Sequence, residues 1–298
     1  MNFAVTGGAG FIGSHLTKYL VSEGHDITVI DNLSRGKLSN LEQVKDRIDF
    51  TKLDILDIVN LRKTLQDVDG VFHQAALTSV PESYEKEDKY KNVNIRGTEN
   101  IFKIAKEFKI KVVYASSSSV YGDIKKIPIT EDFERKPINP YGLTKLEDEH
   151  LAEEYSNSNV DIIGLRYFNV FGIGQTLDYA GVITKFFERL NQDKSPVVHG
   201  DGLQVRDFIF VKDVARANLA AMMSNMDHGF FNIGTGTAIS IKDLANLMIK
   251  ILEKDLEPTF EKIPDGDVRL SLADISLAKK MLDWQSITTL EDGLRTMF

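Results

Sequence analysis

The sequence predicts an α/β fold in which a doubly wound parallel sheet is followed by a smaller α+β cap. Apolar runs of strand length alternate with amphipathic stretches of helix length through about the first 170 residues, the rhythm of repeated strand–helix–strand units. Several runs, including residues 112–114 and 162–165, are continuously apolar, as expected for strands covered on both faces. A glycine-rich turn at residues 7–13 joins the first run to the first amphipathic stretch.

Each element follows from its own pattern. The predicted strands of the sheet are, in chain order, Phe3–Thr6, Ile27–Asp31, Ile48–Leu53, Gly70–Gln74, Lys111–Ser116 and Asp161–Tyr167. Beyond residue 170 the rhythm loosens into short strands at Val197–His199, Phe208–Val211, Phe230–Ile233 and Thr259–Lys262, with helices near Val182–Leu190, Val214–Met223 and Leu244–Leu252. Ser240 and Asp243 predict an N-terminal capping box for the last helix. We expect one domain at residues 1–168, rejoined by a segment near 206–235, and a second mainly at 169–298.

The composition excludes several classes of protein. The chain carries 36 lysine and arginine residues against 44 aspartate and glutamate residues, a net charge of −8, whereas a nucleic-acid surface needs a basic stripe. It has no cysteine, which excludes disulfides, thiolate catalysis and cysteine-ligated metals. The histidines show no metal-ligand spacing, and no apolar run approaches the roughly 20 residues that span a bilayer. We therefore expect a cytoplasmic protein with no metal, nucleic-acid or membrane partner.

The glycine-rich turn predicts a dinucleotide site. Gly7 permits a tight turn, Gly10 lets the backbone approach a pyrophosphate, and Gly13 lets the helix pack on the strand. The helix N-terminus then offers free N–H groups and partial positive charge to the phosphates. Asp31, at the end of the second strand, can bind the adenosine ribose hydroxyls and repel a 2′-phosphate, which favours NAD. Arg35 lies nearby and is a residue type that holds a 2′-phosphate, so NADP stays open as the second choice.

A tyrosine, a lysine and a strand-end serine predict acid–base chemistry. Tyr141 and Lys145 are spaced i,i+4 in a helical stretch, so both lie on one face. A free phenol is a poor base at neutral pH, and a neighbouring ammonium favours its ionised form. Residues 116–119 are four serines that end a strongly apolar strand, where a parallel sheet opens toward its ligand. A hydroxyl there can share a proton with the tyrosine.

These features together resemble the extended short-chain dehydrogenase/reductase superfamily, and within it the NAD-dependent nucleotide-sugar epimerases, notably UDP-glucose/UDP-N-acetylglucosamine 4-epimerases. The matching stretches cover nearly the whole chain: TGGAGFIG (6–13), DNLSRGK (31–37), LDI (53–55), HQAA (73–76), NVNIRGT (92–98), SSSSVYGD (116–123), NPYGLTK (139–145), LRYFNVFG (165–172), GDGLQVRDFIFVKDV (200–214), FNIGTG (231–236) and GDVRLSLADISLAKKMLDW (266–284). The resemblance implies a Rossmann-type sheet that binds NAD and a cap that binds the sugar nucleotide. It also implies a homodimer formed through the helices around 93–108 and 141–156.

The resemblance implies a role for each matched residue. Tyr141 resembles the base that takes the proton from the sugar 4-hydroxyl, and Lys145 the residue that favours the ionised tyrosine and holds the nicotinamide ribose. Ser117 matches the family's catalytic serine or threonine, which lies four residues before the tyrosine of the V-Y-G triplet, here Tyr121. The predicted cofactor contacts are Gly7, Gly10, Phe11, Ile12, Gly13, Asp31, Asn32, Ser34, Arg35, Asp54, Ile55, Ala75, Ala76, Asn92, Tyr141, Lys145 and Phe168. The predicted substrate contacts are Ser79, Ser117, Tyr141, Asn169, Val182, His199, Arg206, Arg269 and Ser271.

The reaction that the resemblance implies is reversible 4-epimerisation of a UDP-hexose through a transient 4-keto sugar and bound NADH. Related dehydratases and decarboxylases carry a glutamate where this chain has Ser119, and a serine cannot replace that carboxylate in proton transfer. Ser271 stands where some epimerases carry a bulky tyrosine, so we expect room for UDP-GlcNAc and UDP-GalNAc besides UDP-glucose and UDP-galactose. Three alternatives stay open: a UDP-glucuronate 4-epimerase, another NAD(P)-dependent oxidoreductase such as a net keto-sugar reductase, and a non-catalytic dinucleotide-binding regulator.

Overall fold

The computed structural model describes residues 1–175, 181–262 and 268–298. The strands are β1 (Asn2–Thr6), β2 (Asp26–Asp31), β3 (Ile48–Lys52), β4 (Gly70–His73), β5 (Lys111–Ser117), β6 (Ile162–Tyr167), β7 (Asn169–Phe171), β8 (Val197–His199), β9 (Val205–Phe210), β10 (His228–Ile233), β11 (Ala238–Ser240), β12 (Thr259–Glu261) and β13 (Leu270–Ser271). The α-helices are α1 (Phe11–Ser22), α2 (Ile58–Leu65), α3 (Val80–Glu85), α4 (Glu87–Tyr90), α5 (Gly97–Phe108), α6 (Pro140–Ser156), α7 (Val182–Asn191), α8 (Val211–Met223), α9 (Ile241–Ile251), α10 (Ser276–Leu282) and α11 (Leu290–Arg295). Residues 38–47 and 118–121 form 3-10 helices, and residues 91–96 form a π-helical turn.

Seven parallel strands form the central sheet, in the order β3-β2-β1-β4-β5-β6-β10. This order confirms the predicted doubly wound α/β fold. The chain runs outward from β1 in one direction and from β4 in the other, so the strand order reverses between these two strands. In such sheets the carboxyl ends of the strands open a crevice at the reversal. The segments that follow β1, β2, β4 and β5 therefore meet at one edge.

Helices cover both faces of the sheet because its strands are apolar on both sides. Successive side chains of a strand point to opposite faces. Phe3 and Val5 of β1 accordingly belong to the apolar cluster that includes α1 and α8. Ala4, between them, belongs to the cluster formed with α5 and part of α6. Burial on both faces is what the continuously apolar strand sequences require.

A second, smaller sheet forms around β9. β7 and β13 pair with β9 in parallel, and β11 pairs with it in the antiparallel direction. β8 and β12 form a separate parallel pair. β10 lies in the central sheet, beside β6. The loosened rhythm beyond residue 170 thus corresponds to strands of two to six residues that join three different sheets.

One predicted strand is misplaced, whereas one predicted cap is confirmed. The strand predicted at Phe208–Val211 is β9, which starts three residues earlier and ends at Phe210, because Val211 already begins α8. Arg206 and Asp207, near its start, are polar and pair with β11, so the apolar pattern alone did not show this part of the strand. The Ser240 hydroxyl accepts a hydrogen bond from the Asp243 amide at 3.0 Å, as the capping box predicts. Within the described ranges, no helix has both the length and the apolar character to cross a membrane.

A buried ion pair fixes α6 against the sheet. The Arg166 guanidinium of β6 donates two hydrogen bonds to the Glu149 carboxylate of α6, from Nε and Nη2, both 2.8 Å long. The two side chains are 2% and 0% exposed. The Ser116 hydroxyl of β5 donates to the same carboxylate at 2.7 Å. Arg166 Nη1 also donates to the Tyr121 hydroxyl, and burial raises the pKa of Tyr121 to about 12.

We predict that Glu149→Gln strongly destabilises the fold. The substitution keeps the size of the side chain but leaves the Arg166 charge buried without its partner, a change that costs about 3–5 kcal/mol. Denaturant unfolding measures the loss, and Glu147→Gln on the same helix is the control because its side chain is half-exposed. The control should stay within about 0.5 kcal/mol of the wild type. Equal stability of the two variants would contradict the role given to the buried pair.

Candidate active site

The turn after β1 is shaped by two glycines that no larger residue could replace. Gly7 has a φ of +66°, and its N–H donates to the Ile30 carbonyl at 2.8 Å. A Cβ atom on Gly13 would lie 2.1 Å from the Gly7 carbonyl oxygen, so α1 can approach the turn only with glycine there. Gly10 is the N-cap of α1 and supplies no side-chain cap. The first-turn N–H groups of α1 are therefore left to a ligand such as a phosphate.

A carboxylate ties this turn to the loop after β2. One oxygen of Asp31 accepts the Ala9 N–H at 3.0 Å and the other accepts the Leu33 N–H at 2.8 Å. Burial raises the pKa of Asp31, and these two backbone donors oppose that rise. The Asn40 amide donates to the Ala9 carbonyl at 2.9 Å and closes the same corner. Asp31 is thus held in place at the edge of the crevice before any ligand arrives.

One cleft of about 370 Å³ follows the carboxyl ends of the strands. The predicted residues that line it are Gly7, Gly10, Phe11, Ile12, Gly13, Asp31, Asn32, Ser34, Arg35, Asp54, Ile55, Ala75, Ala76, Ser117, Tyr141, Lys145 and Phe168. The glycine turn, the Asp31 corner and the serine–tyrosine–lysine set therefore share a single cleft. Lining residues that the sequence reasoning missed include Asn40, Gln74, Thr78, Val93, Tyr167 and Gln175. Gln74, Val93 and Tyr167 stand within matching stretches, which was a signal that could have identified them, whereas only the fold brings Asn40, Thr78 and Gln175 to this edge.

The placement predicted for Asn92 is wrong. Asn92 is exposed, and its amide oxygen accepts a hydrogen bond from Arg96 at 3.1 Å rather than facing the cleft. Asn94, on the opposite side of the helical turn at residues 91–96, faces inward instead. Asn94 is fully buried and bonds both backbone groups of Leu77, its oxygen accepting from N–H at 2.8 Å and its nitrogen donating to the carbonyl at 3.0 Å. The asparagine that matters here holds the cleft loop, two residues further on.

Lys145 has a partner that the sequence reasoning did not find. Its ammonium donates to the Asp148 carboxylate at 3.1 Å, and the two side chains are 3% and 0% exposed. Burial raises the pKa of Asp148 to about 6, against the opposing effects of Lys145 and of the Thr98 hydroxyl. The i,i+3 spacing on a helix was a signal that could have identified this pair. Asp148 fixes the ammonium on the wall of the cleft that also carries Tyr141.

A buried histidine lies beneath the glycine turn. His73, at the end of β4, has one ring nitrogen 2.7 Å from the Thr6 hydroxyl and the other 2.9 Å from the Thr98 hydroxyl. Burial, and then the charge of Lys145, lower its pKa to about 3. The ring therefore stays neutral and links β1, β4 and α5. His73, the first residue of the HQAA stretch, thus has a structural role.

Several predicted substrate residues gather on the small sheet. The Asn169 amide of β7 donates to the Asp207 carbonyl at 2.9 Å and lies 3.5 Å from the Ser271 hydroxyl. Ser271 of β13 is paired in register with Arg206 of β9. Arg269, just before β13, donates to the Asp201 carboxylate at 2.9 and 2.8 Å. Phe168, which lines the cleft, directly precedes Asn169, so this group continues from the cleft.

Three other predicted substrate residues stand outside the cleft lining and outside this group. The Ser79 hydroxyl caps α3 by accepting the Glu82 N–H at 3.3 Å. Val182 begins α7 and packs against an apolar cluster. His199 ends β8, and its carbonyl accepts from Gln204 at 2.9 Å. Residues 266 and 267, with which the last matching stretch begins, lie outside the described ranges.

A comparison with known families decides what this arrangement is. The profile of the family described as NAD dependent epimerase/dehydratase matches residues 3–234. The chain belongs to this family. It is an NAD-dependent enzyme, and the match spans the glycine turn, the serine–tyrosine–lysine set and the start of the small sheet.

Three solved structures are similar to this member of the family over nearly its full length. The UDP-N-acetylglucosamine 4-epimerase of Methanobrevibacter ruminantium, in complex with UDP-N-acetylmuramic acid, is 37% identical with a TM-score of 0.95, covering 99% of this chain and 96% of that chain. The UDP-glucose 4-epimerase of Thermotoga maritima, with UDP-glucose, is 35% identical with a TM-score of 0.94, covering 100% and 97%. The UDP-glucuronic acid 4-epimerase of Bacillus cereus, in complex with UDP-glucuronic acid and NAD, is 34% identical with a TM-score of 0.91, covering 100% and 98%.

The residues present fit the NAD that the family uses. The close approach of Gly13 to Gly7 leaves backbone rather than side chains facing the cleft, which is what a pyrophosphate requires. Asp31 stands at the end of β2 with its carboxylate fixed for a ribose. Among residues 1–175, 181–262 and 268–298, no group of three His, Cys, Asp or Glu side chains is arranged to hold a metal ion.

We predict that His73 makes the fold sensitive to acid. Because its pKa is about 3 when folded and near 6.5 when unfolded, the unfolded chain takes up the proton first and stability falls as the pH drops below 6.5. Between pH 7 and pH 5 the wild type should lose about 2 kcal/mol more unfolding free energy than His73→Gln. His150→Gln is the control, since His150 is exposed. A parallel pH dependence of wild type and His73→Gln would refute this assignment.

Proposed function

We propose that this protein catalyses the reversible 4-epimerisation of a UDP-hexose, with NAD as its bound cofactor. The observation that carries the proposal is that Ser117, Tyr141 and Lys145 line the same cleft as the glycine turn and Asp31. The groups that would exchange a proton with one sugar hydroxyl thus lie in the same cavity as the site proposed for the dinucleotide. The similarity to 4-epimerases solved with UDP-glucose and with UDP-glucuronic acid supports the substrate class.

In the proposed mechanism the chain's own groups handle one proton. Bound NAD supplies reversible oxidation at C4 of the sugar, so a 4-keto sugar forms transiently. Tyr141, as the phenolate, would take the proton from the 4-hydroxyl and return it to the same oxygen once C4 has been reduced on its other face. Lys145 stabilises the phenolate through its positive charge, and its ammonium is held in place by Asp148. The Ser117 hydroxyl, at the end of β5, donates to the sugar oxygen while the proton moves.

The small sheet is proposed as the anchor of the nucleotide diphosphate. Arg206 and Arg269 are close in the fold because β9 and β13 are neighbouring strands, and the Val205 N–H donates to the Arg269 carbonyl at 3.1 Å. Guanidinium groups match the geometry of phosphate oxygens. Anchoring the nucleotide while the sugar is loosely held lets the keto sugar turn its other face to the cofactor. Asn169 and Ser271 lie between this anchor and Phe168 of the cleft.

Two further assignments belong to the proposal. The helices expected to form a homodimer are α5 and α6, and α6 presents Leu143, which is 42% exposed. We also propose a cytoplasmic location, in keeping with a chain that has no cysteine. Sedimentation of the purified protein tests the first assignment and fractionation of the source cells the second.

We predict that Tyr141→Phe abolishes turnover while cofactor binding persists. Removing the phenol oxygen removes the proton acceptor, so kcat should fall by about 10²–10⁴-fold. Proton NMR of UDP-galactose becoming UDP-glucose, without added reductant, measures the rate. Tyr84→Phe is the control, because Tyr84 is exposed and its hydroxyl donates to the Ile138 carbonyl. Undiminished turnover by Tyr141→Phe would sink the proposal, whereas a need for stoichiometric NAD(P)H would favour a net reductase.

We predict that Ser271 admits an N-acetyl group at C2 of the sugar. The wild type should turn over UDP-GlcNAc and UDP-glucose at comparable kcat/KM, because the side chain at this position is a serine rather than a bulky tyrosine. Ser271→Tyr should lower kcat/KM for UDP-GlcNAc at least about tenfold more than for UDP-glucose. UDP-glucuronate is assayed in parallel, and a clear preference for it would identify the protein as a UDP-glucuronate 4-epimerase. Failure of the wild type on UDP-GlcNAc, with good activity on UDP-glucose, would contradict the role of Ser271.

A further inference from the structure

The cleft contains a conflict between two residues that favour different dinucleotides. Asp31 repels a 2′-phosphate, which only NADP carries, whereas the guanidinium of Arg35 would attract one. Both residues line the cleft. In many proteins an arginine so close to the ribose site would bind that phosphate, and the sequence alone does not decide between the two.

The structure gives the Arg35 guanidinium a carboxylate partner from a distant segment. Arg35 Nη2 lies 2.8 Å from Oε1 and 2.7 Å from Oε2 of Glu82. Arg35 follows β2, whereas Glu82 belongs to α3, which follows β4. The contact therefore joins the loop after β2 to helix α3, between residues that are 47 positions apart in the chain.

Glu82 is itself held by several groups, so it is a fixed partner rather than a mobile one. Its carboxylate accepts from the Lys86 ammonium at 2.8 Å and from the Tyr90 hydroxyl at 3.3 Å. Its N–H donates to the Ser79 hydroxyl at 3.3 Å, which anchors the first turn of α3. The Glu82 side chain is 13% exposed, compared with 40% for Arg35. The better-buried carboxylate determines where the arginine lies.

We propose that Glu82 is a specificity-determining residue that keeps the Arg35 charge away from a cofactor 2′-phosphate. A guanidinium bonded to both oxygens of a carboxylate must give up that pairing before it can bind phosphate, and the carboxylate adds negative charge at the same corner. With Arg35 held by Glu82, the arginine no longer favours NADP, and the preference of Asp31 for NAD prevails. This inference rests on the proposed function only in that the cleft is the dinucleotide site.

The test measures binding of NAD⁺ and NADP⁺ to the purified protein by calorimetry or competition. Glu82→Gln keeps the size of the side chain but removes the charge that holds Arg35. It should raise NADP⁺ affinity about tenfold relative to NAD⁺, the gain expected from one charge-assisted arginine–phosphate contact. Glu82→Asp, which shortens the reach by one methylene, should give a smaller gain. Glu85→Gln is the matched control on the same helix, since Glu85 is exposed.

The double variant Glu82→Gln with Arg35→Ala separates the proposal from its rivals. If Glu82 acts by holding Arg35, the gain in NADP⁺ affinity disappears when Arg35 is removed. An equal gain without Arg35 would overturn the proposal, because Glu82 or the released Lys86 would then act directly. If Glu82→Gln leaves the ratio of NADP⁺ to NAD⁺ affinity unchanged, or weakens both equally, the proposal is also overturned. The ion pair between Glu82 and Arg35 would then have only a structural role. Because binding is measured rather than turnover, failure here leaves the epimerase proposal intact, and failure on UDP-sugars leaves this proposal intact.

Discussion

The buried pair between Arg166 and Glu149 is the contact on which the arrangement of the active site depends. Glu149 lies one helical turn beyond Lys145 and two turns beyond Tyr141, so the three share one stripe of α6. The same carboxylate accepts the hydroxyl of Ser116, the neighbour of Ser117. One fully buried carboxylate thus fixes the tyrosine–lysine stripe and the strand-end serine relative to each other. A buried charge has this effect because no alternative position, on either element, would satisfy both ions.

This acidic chain must provide sites for anionic ligands. The net charge of −8 provides no general attraction, so positive charge must be local. Three of the relevant cations are each held by a carboxylate: Lys145 by Asp148, Arg35 by Glu82, and Arg269 by Asp201. Such pairing reduces the positive electrostatic field of each cation but fixes its position. The three pairs differ in how deeply they are buried. In the proposed mechanism, the fully buried Lys145 pair would orient a group that must stay in place during the reaction, whereas the half-exposed Arg269 pair would exchange its partner for a phosphate at low cost.

The sequence predicted those features that depend on local pattern. Strand–helix alternation predicted the central sheet, and the glycine spacing and Asp31 predicted one end of the cleft. Asn92 was misplaced because two asparagines stand two residues apart on opposite faces of one helical turn, and a linear motif does not show which of them faces inward. The contact between Asp148 and Lys145 could have been predicted from their i,i+3 spacing on a helix. The contact between Glu82 and Arg35 could not have been predicted in this way, since it joins segments that only the folded sheet brings together.

The sugar-nucleotide side of the site is organised by a different buried acid. Asp207 of β9 accepts hydrogen bonds from the Thr235 N–H and hydroxyl at 2.8 and 2.7 Å, from the Gly236 N–H at 3.0 Å and from the Ala273 N–H at 3.2 Å. β13 has only two residues, and this contact just beyond its end adds to its pairing with β9. Burial raises the pKa of Asp207, and these donors oppose the rise. The backbone of β13 is therefore held by β9 and by Asp207, whereas the Ser271 hydroxyl lies 3.5 Å from the Asn169 amide. The position that we propose to select the sugar thus stands on a backbone that the fold already holds in place.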